Sequence, residues 1–372
     1  MVKFVEHAVA GVRSLQPYEP GKPISELKRE LGLDDIIKLA SNENPMGPSP
    51  RVAEAIQGAV GDLALYPDGN GFDLKRALSE RHGIDPDRIT LGTGSDHILE
   101  MIARVFLGEG RSAVFSQYGF AIYAIVSQAA GAELRPADAL GPDHPEMPYG
   151  HDLEAMAERI DASTRVVFIA NPNNPTGTWV DEKSLRSFLE RVPPETLVLL
   201  DEAYYEYVEE EAYPNGAALL EEYPNLVVMR TFSKAYGLAG IRVGYALASR
   251  EITDLLNRVR LAFHPNSLAQ VAAVAALEDG DHVRRSLEVN RSERDAMKTG
   301  LRERGFSTIP SVCNFVTFDA GRPAREVFQA LLEQGVIVRP LDGYGLDRHL
   351  RVTVGLPEQN QRFFAALDQV MG

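Results

Sequence analysis

The chain of 372 residues contains a single cysteine, Cys313. No disulfide can form within it, and a reducing compartment, the cytoplasm, is expected. Positive charge is scarce. Thirty-eight lysines and arginines stand against 53 aspartates and glutamates, a formal net charge of −15. Phosphate-backbone affinity needs the opposite excess, so nucleic acid is not expected as the main partner. An acidic whole still has room for a local group of arginines around a small anion. Long hydrophobic runs are missing too. None approaches the roughly 18 apolar residues that span a bilayer. Residues 1–21 carry Glu6, His7 and Arg13 where a signal peptide would be apolar. No spacing of His, Cys, Asp and Glu suits a metal ion, and there is no internal repeat.

What is present is an ordinary globular composition, 44% hydrophobic and 24% charged. A chain this long exceeds the size at which one core keeps growing, so two domains are expected. From about residue 88 to 250, short apolar runs alternate with amphipathic stretches. The runs are Ile89–Gly92, Ala113–Ser116, Val166–Ala170, Leu197–Leu200, Leu226–Met229 and Val243–Ala248. Lacking period-2 alternation, they suit strands buried on both faces of a mostly parallel sheet. Helical patterns lie between them at Ser95–Leu107, Phe120–Ala130, Leu153–Ile160 and Glu182–Glu190. The alternation predicts a doubly wound α/β domain with its function at the carboxyl ends of the strands. Beyond Glu251 the order changes to mixed strands and helices, the pattern of a smaller α+β domain. The expected division is an N-terminal arm at 1–40 packed with the small domain, a large domain at 41–255 and a small domain at 256–372.

Four segments carry candidate chemistry. In Leu91-Gly92-Thr93-Gly94-Ser95-Asp96, small residues opening a helix would let backbone N–H groups close around a phosphate. A plain glycine turn with Ser95 as N-cap accounts for the same residues. Asn171-Pro172-Asn173-Asn174-Pro175-Thr176-Gly177 fixes a rigid turn in which an amide would bond a ligand oxygen; an ordinary strand-to-helix loop is the alternative. Leu200-Asp201-Glu202-Ala203-Tyr204 puts carboxylates where a buried strand emerges. Each then needs a positive or protonated partner, and for Glu202 a structural salt bridge serves as well as a functional role. The fourth runs from Thr231 to Arg242 and contains Ser233-Lys234 in a small, aromatic and glycine-flanked setting. Partial burial there would lower the lysine's pKa and free its amine to bond a carbonyl carbon. Arg242 follows as a candidate phosphate clamp.

The ordered set Asn174, Asp201, Tyr204, Lys234 and Arg242 resembles the fold-type-I pyridoxal-phosphate aminotransferases, and the resemblance runs from Asn42 to Arg351. Within them the chain looks closest to the histidinol-phosphate aminotransferases. The motifs are Pro17-Tyr18-Glu19-Pro20-Gly21, Asn42 to Pro48, Tyr66-Pro67-Asp68-Gly69 and Leu350 to Gly355. The resemblance implies pyridoxal 5′-phosphate as cofactor, bonded by Lys234, with Asp201 paired to its ring nitrogen. Asn174 and Tyr204 would bond the ring's 3′-oxygen, and Tyr118 would stack on the ring unless it is a core aromatic. The phosphate would lie on the backbone of Gly94, Ser95 and Asp96, the hydroxyls of Thr231 or Ser233, and Arg242. Tyr66 would reach the same phosphate from a second copy, which implies a homodimer with shared sites. Arg351, Arg339 and Tyr18 would hold substrate, with Asn174 beside them; an exposed strand-end arginine is the other reading of Arg339.

The activity implied is transfer of the amino group of L-histidinol phosphate to 2-oxoglutarate in histidine biosynthesis. Aromatic amino-acid transamination and decarboxylation of threonine phosphate are the neighbouring alternatives. A cofactor-sensing regulator would need an added basic DNA-binding segment, which the chain lacks. A nucleotide-dependent oxidoreductase would need one more glycine after Gly92 and Gly94.

Overall fold

The computed structural model describes residues 2–372. After a short strand β1 (Ile37–Lys38), seven strands form one sheet: β2 (Ile89–Gly92), β3 (Ser112–Ser116), β4 (Glu133–Ala137), β5 (Thr164–Ala170), β6 (Leu197–Asp201), β7 (Leu226–Thr231) and β8 (Gly244–Leu247). Their order is β2-β8-β7-β6-β5-β3-β4. Every neighbouring pair is parallel except the two that β8 makes, both antiparallel. All six expected runs start within two residues of the observed strands, because a strand covered on both faces is apolar along most of its length. Strand β4 was not expected: it is an edge strand, carries Pro136, and only its last residue, Ala137, is buried.

Two apolar layers lie on the faces of this sheet. One gathers Leu91, Val167, Leu200 and Val228 under Leu185 and Phe188 of helix Glu182–Leu189. The other gathers Phe168, Leu199 and Met229 under Ile98 and Ile102 of helix Ser95–Phe106.

Four more strands, β9 (Thr308–Ile309), β10 (Phe315–Asp319), β12 (Arg339–Pro340) and β13 (His349–Thr353), form an antiparallel sheet in the order β12-β13-β10-β9, while β11 (Val336–Ile337) pairs parallel with β1. Their core joins Val316, Phe318, Leu350 and Val352 to Leu331 and Phe363 of the flanking helices.

Helix Ser267–Glu278 lies past the expected boundary at residue 256, yet Ala269, Ala272, Ala273 and Ala276 sit in the core on the large sheet. Its small residues allow close approach to helix Pro50–Ala59. We therefore propose the division within the following helix, Gly280–Glu303, rather than at 256. The arm also divides. Leu27 packs with Leu332 and Ile337 of the smaller unit, while Gly11 lies against helix Ala121–Ala129 of the large one, where Gln128 Nε2 donates to its carbonyl at 3.1 Å.

Candidate active site

The carboxyl ends of β2, β5, β6 and β7 open on one cavity of about 330 Å³, lined among others by Ser95, Asp96, Ala170, Asn174, Asp201, Tyr204, Thr231, Ser233, Lys234, Arg242, Arg339 and Arg351. Its size is that of a small-molecule site. Segments distant in sequence meet there because strands of a parallel sheet all end on the same side.

Lys234 follows β7. Its Nζ donates to the carbonyl oxygen of Ser41 at 3.0 Å and lies 5.8 Å from the centroid of the Tyr204 ring. Burial lowers its pKa to about 8, Arg351 and Arg242 push the same way, and Glu43 opposes them. The amine is therefore partly uncharged and nucleophilic near neutral pH.

Asp201 is the last residue of β6. Tyr123 Oη donates to its Oδ2 at 2.7 Å and the Ala203 N–H to its Oδ1 at 3.1 Å. Burial raises its pKa to about 6, with the Tyr123 and Ala203 hydrogen bonds opposing. Its neighbour Glu202 points elsewhere. It is fully buried and takes Arg230 Nε at 2.8 Å and the Gly216 N–H at 3.0 Å. The two adjacent carboxylates are thus separated by function: Glu202 belongs to a structural ion pair, and Asp201 faces the cavity.

Around Arg242 the polar groups form one cluster. Its guanidinium donates to Asp96 Oδ1 at 2.6 Å, to the Ala239 carbonyl at 3.1 Å and to Ser233 Oγ at 3.4 Å. Thr231 Oγ1 donates to Ser233 Oγ at 3.0 Å. Helix Ser95–Phe106 starts beside them with Gly94 at the N-cap, where no side chain caps it. Ser95 is thus the first helical residue and not the cap, and first-turn N–H groups remain for another acceptor. Gly94 has φ +83°, and a Cβ there would collide with the Arg242 guanidinium and the Asp96 carboxylate. Gly244 of β8 lets the loop approach closely, since a Cβ on it would lie 2.8 Å from the Ser95 nitrogen. Uncapped N–H groups, two hydroxyls and an arginine make a cradle suited to a phosphate.

A second cluster surrounds Arg351 of β13. It is buried, donates to the Ala40 carbonyl at 2.7 Å and to Asn174 Oδ1, and its Nε has no partner. Arg339 of β12 lies 5.9 Å from the centroid of Tyr18, which is 43% exposed at the cavity's edge. A buried guanidinium with an unused donor suits an anionic ligand.

Of the expected residues, Gly94, Tyr118 and Tyr66 do not line the cavity. Tyr118 sits edge-on to Tyr149 at 5.7 Å, while Phe120 lines the cavity together with Tyr18 and Tyr204. Tyr66 is 80% exposed and stacks on Phe263 at 4.3 Å. Four contributors were not expected. Asn42, with φ +55°, donates through Nδ2 to Tyr204 Oη at 2.8 Å. Ser41 and Ala40 act through their carbonyls, which no sequence motif marks. Tyr123 is the fourth, and no local signal marks it off from an aromatic buried for packing.

The family model described as aminotransferase class I and II matches residues 34–367. Histidinol-phosphate aminotransferase 2 of Methylococcus capsulatus is 54% identical, over 98% of each chain. Histidinol-phosphate aminotransferase 2 of Pseudomonas aeruginosa is 53% identical over 100% of this chain and 99% of its own. The solved histidinol-phosphate aminotransferase of Sinorhizobium meliloti, in complex with pyridoxal-5′-phosphate, superposes with a TM-score of 0.88 at 29% identity, covering 98% of this chain and 97% of that one.

Proposed function

Because this chain belongs to the class I and II aminotransferases, we propose that it transfers the amino group of L-histidinol phosphate to 2-oxoglutarate, giving imidazole acetol phosphate and L-glutamate. The observation that carries this reading is a single cavity holding Lys234 and Asp201 together with two arginine clusters, one on Arg242 and one on Arg351. One cluster takes the phosphate of pyridoxal 5′-phosphate. The other takes the anionic group of the substrate, a carboxylate in one half-reaction and a phosphate ester in the other.

Bound pyridoxal 5′-phosphate supplies an electron sink for the carbon that loses its proton. The chain's own residues do the rest. The first-turn N–H groups of Ser95 and Asp96, the hydroxyls of Thr231 and Ser233, and Arg242 anchor the phosphate. Asp201 holds a proton on the ring nitrogen, a role that needs its carboxylate ionised and buried. Asn174 and Tyr204 orient the ring through its 3′-oxygen. Lys234 would hold the cofactor through its amine, and its Nζ is placed to hold and move the proton at the substrate carbon. Arg351, Arg339 and Tyr18 bind the substrate's anionic end and fix which face of that carbon Lys234 meets.

We assign the active form as a homodimer in the cytoplasm, with Tyr66 completing the phosphate site of the second copy. The exposure of Tyr66 and its place outside its own cavity support that assignment. Among the described residues no helix is long and apolar enough to cross a membrane.

The test is glutamate formation from 2-oxoglutarate with histidinol phosphate, phenylalanine or tyrosine as amino donor. The reading expects the highest kcat/KM for histidinol phosphate. A preference for the aromatic amino acids would replace it with aromatic transamination.

A further inference from the structure

Asp201 is held from two sides, and one of the two groups holding it is a side chain to which no role in the reaction has so far been given. Tyr123 lies on helix Ala121–Ala129, fully buried, with its hydroxyl 2.7 Å from Asp201 Oδ2. Its ring is stacked on Phe168 at 4.8 Å with an interplanar angle of 6°, and Phe120 meets it edge-on at 5.8 Å. Clamped between these rings, the phenol has no room to swing its hydroxyl away from the carboxylate. Burial and the nearby Asp201 charge raise the pKa of Tyr123 well above that of a free phenol, so it remains a donor throughout the working pH range.

We infer that Tyr123 is the positioning residue of the transamination proposed above: its hydroxyl fixes the Asp201 carboxylate in place and keeps it ionised for the cofactor's ring nitrogen. The physical need is plain. A carboxylate in this position tends to take up a proton, since burial disfavours its charge and Glu202 adds repulsion. A neutral acid cannot hold a second proton on a ring nitrogen. Lys234 favours the carboxylate only while its nitrogen is charged, and the amine must be uncharged to attack a carbonyl carbon. Tyr123 and the Ala203 N–H are then the donors left, and of these only Tyr123 is a side chain. Tyr204 also faces the site, but its hydroxyl accepts from Asn42, makes no bond to Asp201 and keeps its proton for the cofactor's 3′-oxygen.

The test replaces Tyr123 by Phe, which removes the hydroxyl and keeps the stacked ring. In cofactor-free protein with ¹³C-labelled aspartate, the Asp201 carboxyl, assigned by comparison with Asp201→Asn, should titrate about one pH unit or more higher in Tyr123→Phe, as expected for a lost hydrogen bond to a charged group. The Kd for pyridoxal phosphate should rise about tenfold on the same grounds, and kcat should fall with KM for the amino donor little changed. An unmoved titration overturns the proposal, and so does a moved titration with unchanged cofactor affinity. If Tyr123→Phe does not fold, Tyr123→3-fluorotyrosine decides the matter. Its more acidic phenol should lower the Asp201 midpoint, and an unchanged midpoint overturns the proposal. The proposal rests on the reading of the cavity as a transaminase site, but the titration needs no cofactor. Failure of that reading would show separately, as the absence of glutamate formation by the unsubstituted protein.

Discussion

The ε-amine of Lys234 donates to the carbonyl oxygen of Ser41 across 3.0 Å, so the first residues after the arm hold the lysine that the sheet presents. Buried among cations and poised at a pKa of about 8, this amine sets the pH dependence of cofactor uptake. In cofactor-free protein the rate of pyridoxal phosphate capture should climb as pH rises through about 8, because only the uncharged amine attacks a carbonyl. Stopped-flow absorbance between pH 6 and 10 measures it. A profile still rising steeply near the 10.5 of a free lysine would show that the amine is not perturbed.

Asp201 should trade stability for function. Its folded pKa of about 6 lies above the usual 3.8. The preference for the folded state is therefore fully present below about pH 4 and is lost as pH rises through 6. Cofactor-free Asp201→Asn should then be more stable than the parent chain at pH 8, by up to ~3 kcal/mol for a shift of about two units. The advantage should vanish near pH 4, and turnover should fall by about a hundredfold or more through the loss of a charged partner to the ring. Urea denaturation at the two pH values checks the sign; equal differences at both would refute the linkage.

Much of this architecture was legible because burial leaves a compositional mark. Strands β5, β6 and β7 are covered on both faces and carry the unbroken apolar runs Val166–Ala170, Leu197–Leu200 and Leu226–Met229, each followed within two residues by a polar motif. Contacts between distant segments leave no such mark. Tyr123 and Asp201 are separated by 78 residues, and Asn42 and Tyr204 by 162. Nothing local told Tyr123 from an aromatic buried for packing, or showed that Phe120 and not Tyr118 would reach the cavity wall. Edge strand β4 escaped for the opposite reason: it is half solvated and so lacks an apolar run. Helix Ser267–Glu278 lies past a change of pattern in the sequence, but its alanines pack back against the large sheet.

Glu202 and Arg230 should govern stability without touching the chemistry. Both are almost completely buried, at 0% and 3% exposure, with Nε and Nη2 each 2.8 Å from Oε2. The Arg230 guanidinium also lies 3.5 Å from the centroid of the Tyr205 ring. Arg230→Met strands a buried carboxylate and should cost about 3–5 kcal/mol. Pairing it with Glu202→Leu should recover a large part of that loss. Denaturant midpoints of the two single variants and the double variant give the coupling directly, and additive losses would contradict it.

Arg351→Lys keeps the charge but loses the planar fork that reaches Ala40 and Asn174 together. The kcat/KM for glutamate should fall roughly tenfold to a hundredfold, the size of one charge-assisted hydrogen bond. Tyr18→Phe should leave glutamate almost untouched and raise KM for histidinol phosphate, since only the phosphate ester is expected to need the arm's hydroxyl. Steady-state kinetics with both donors separate the two effects. An equal loss for both donors in Tyr18→Phe would remove the phosphate role from Tyr18.

Tyr66 offers the sharpest test of a shared site. It is exposed, lies outside its own cavity, and stacks on Phe263 at 4.3 Å. If it serves a second copy, Lys234→Ala and Tyr66→Ala lie in different sites of a mixed dimer. One site then carries both defects, while the other keeps Lys234 from one chain and Tyr66 from the other. Random reassociation makes half the dimers mixed with one whole site each, so activity at low cofactor concentration should recover to about a quarter of the parent level. Each variant alone should stay well below that, Lys234→Ala for want of the amine and Tyr66→Ala for weak phosphate binding. If Tyr66 serves its own chain, mixing creates no whole site and nothing is recovered. Tagged chains, unfolded together and refolded, isolate the mixed species and decide between the two arrangements.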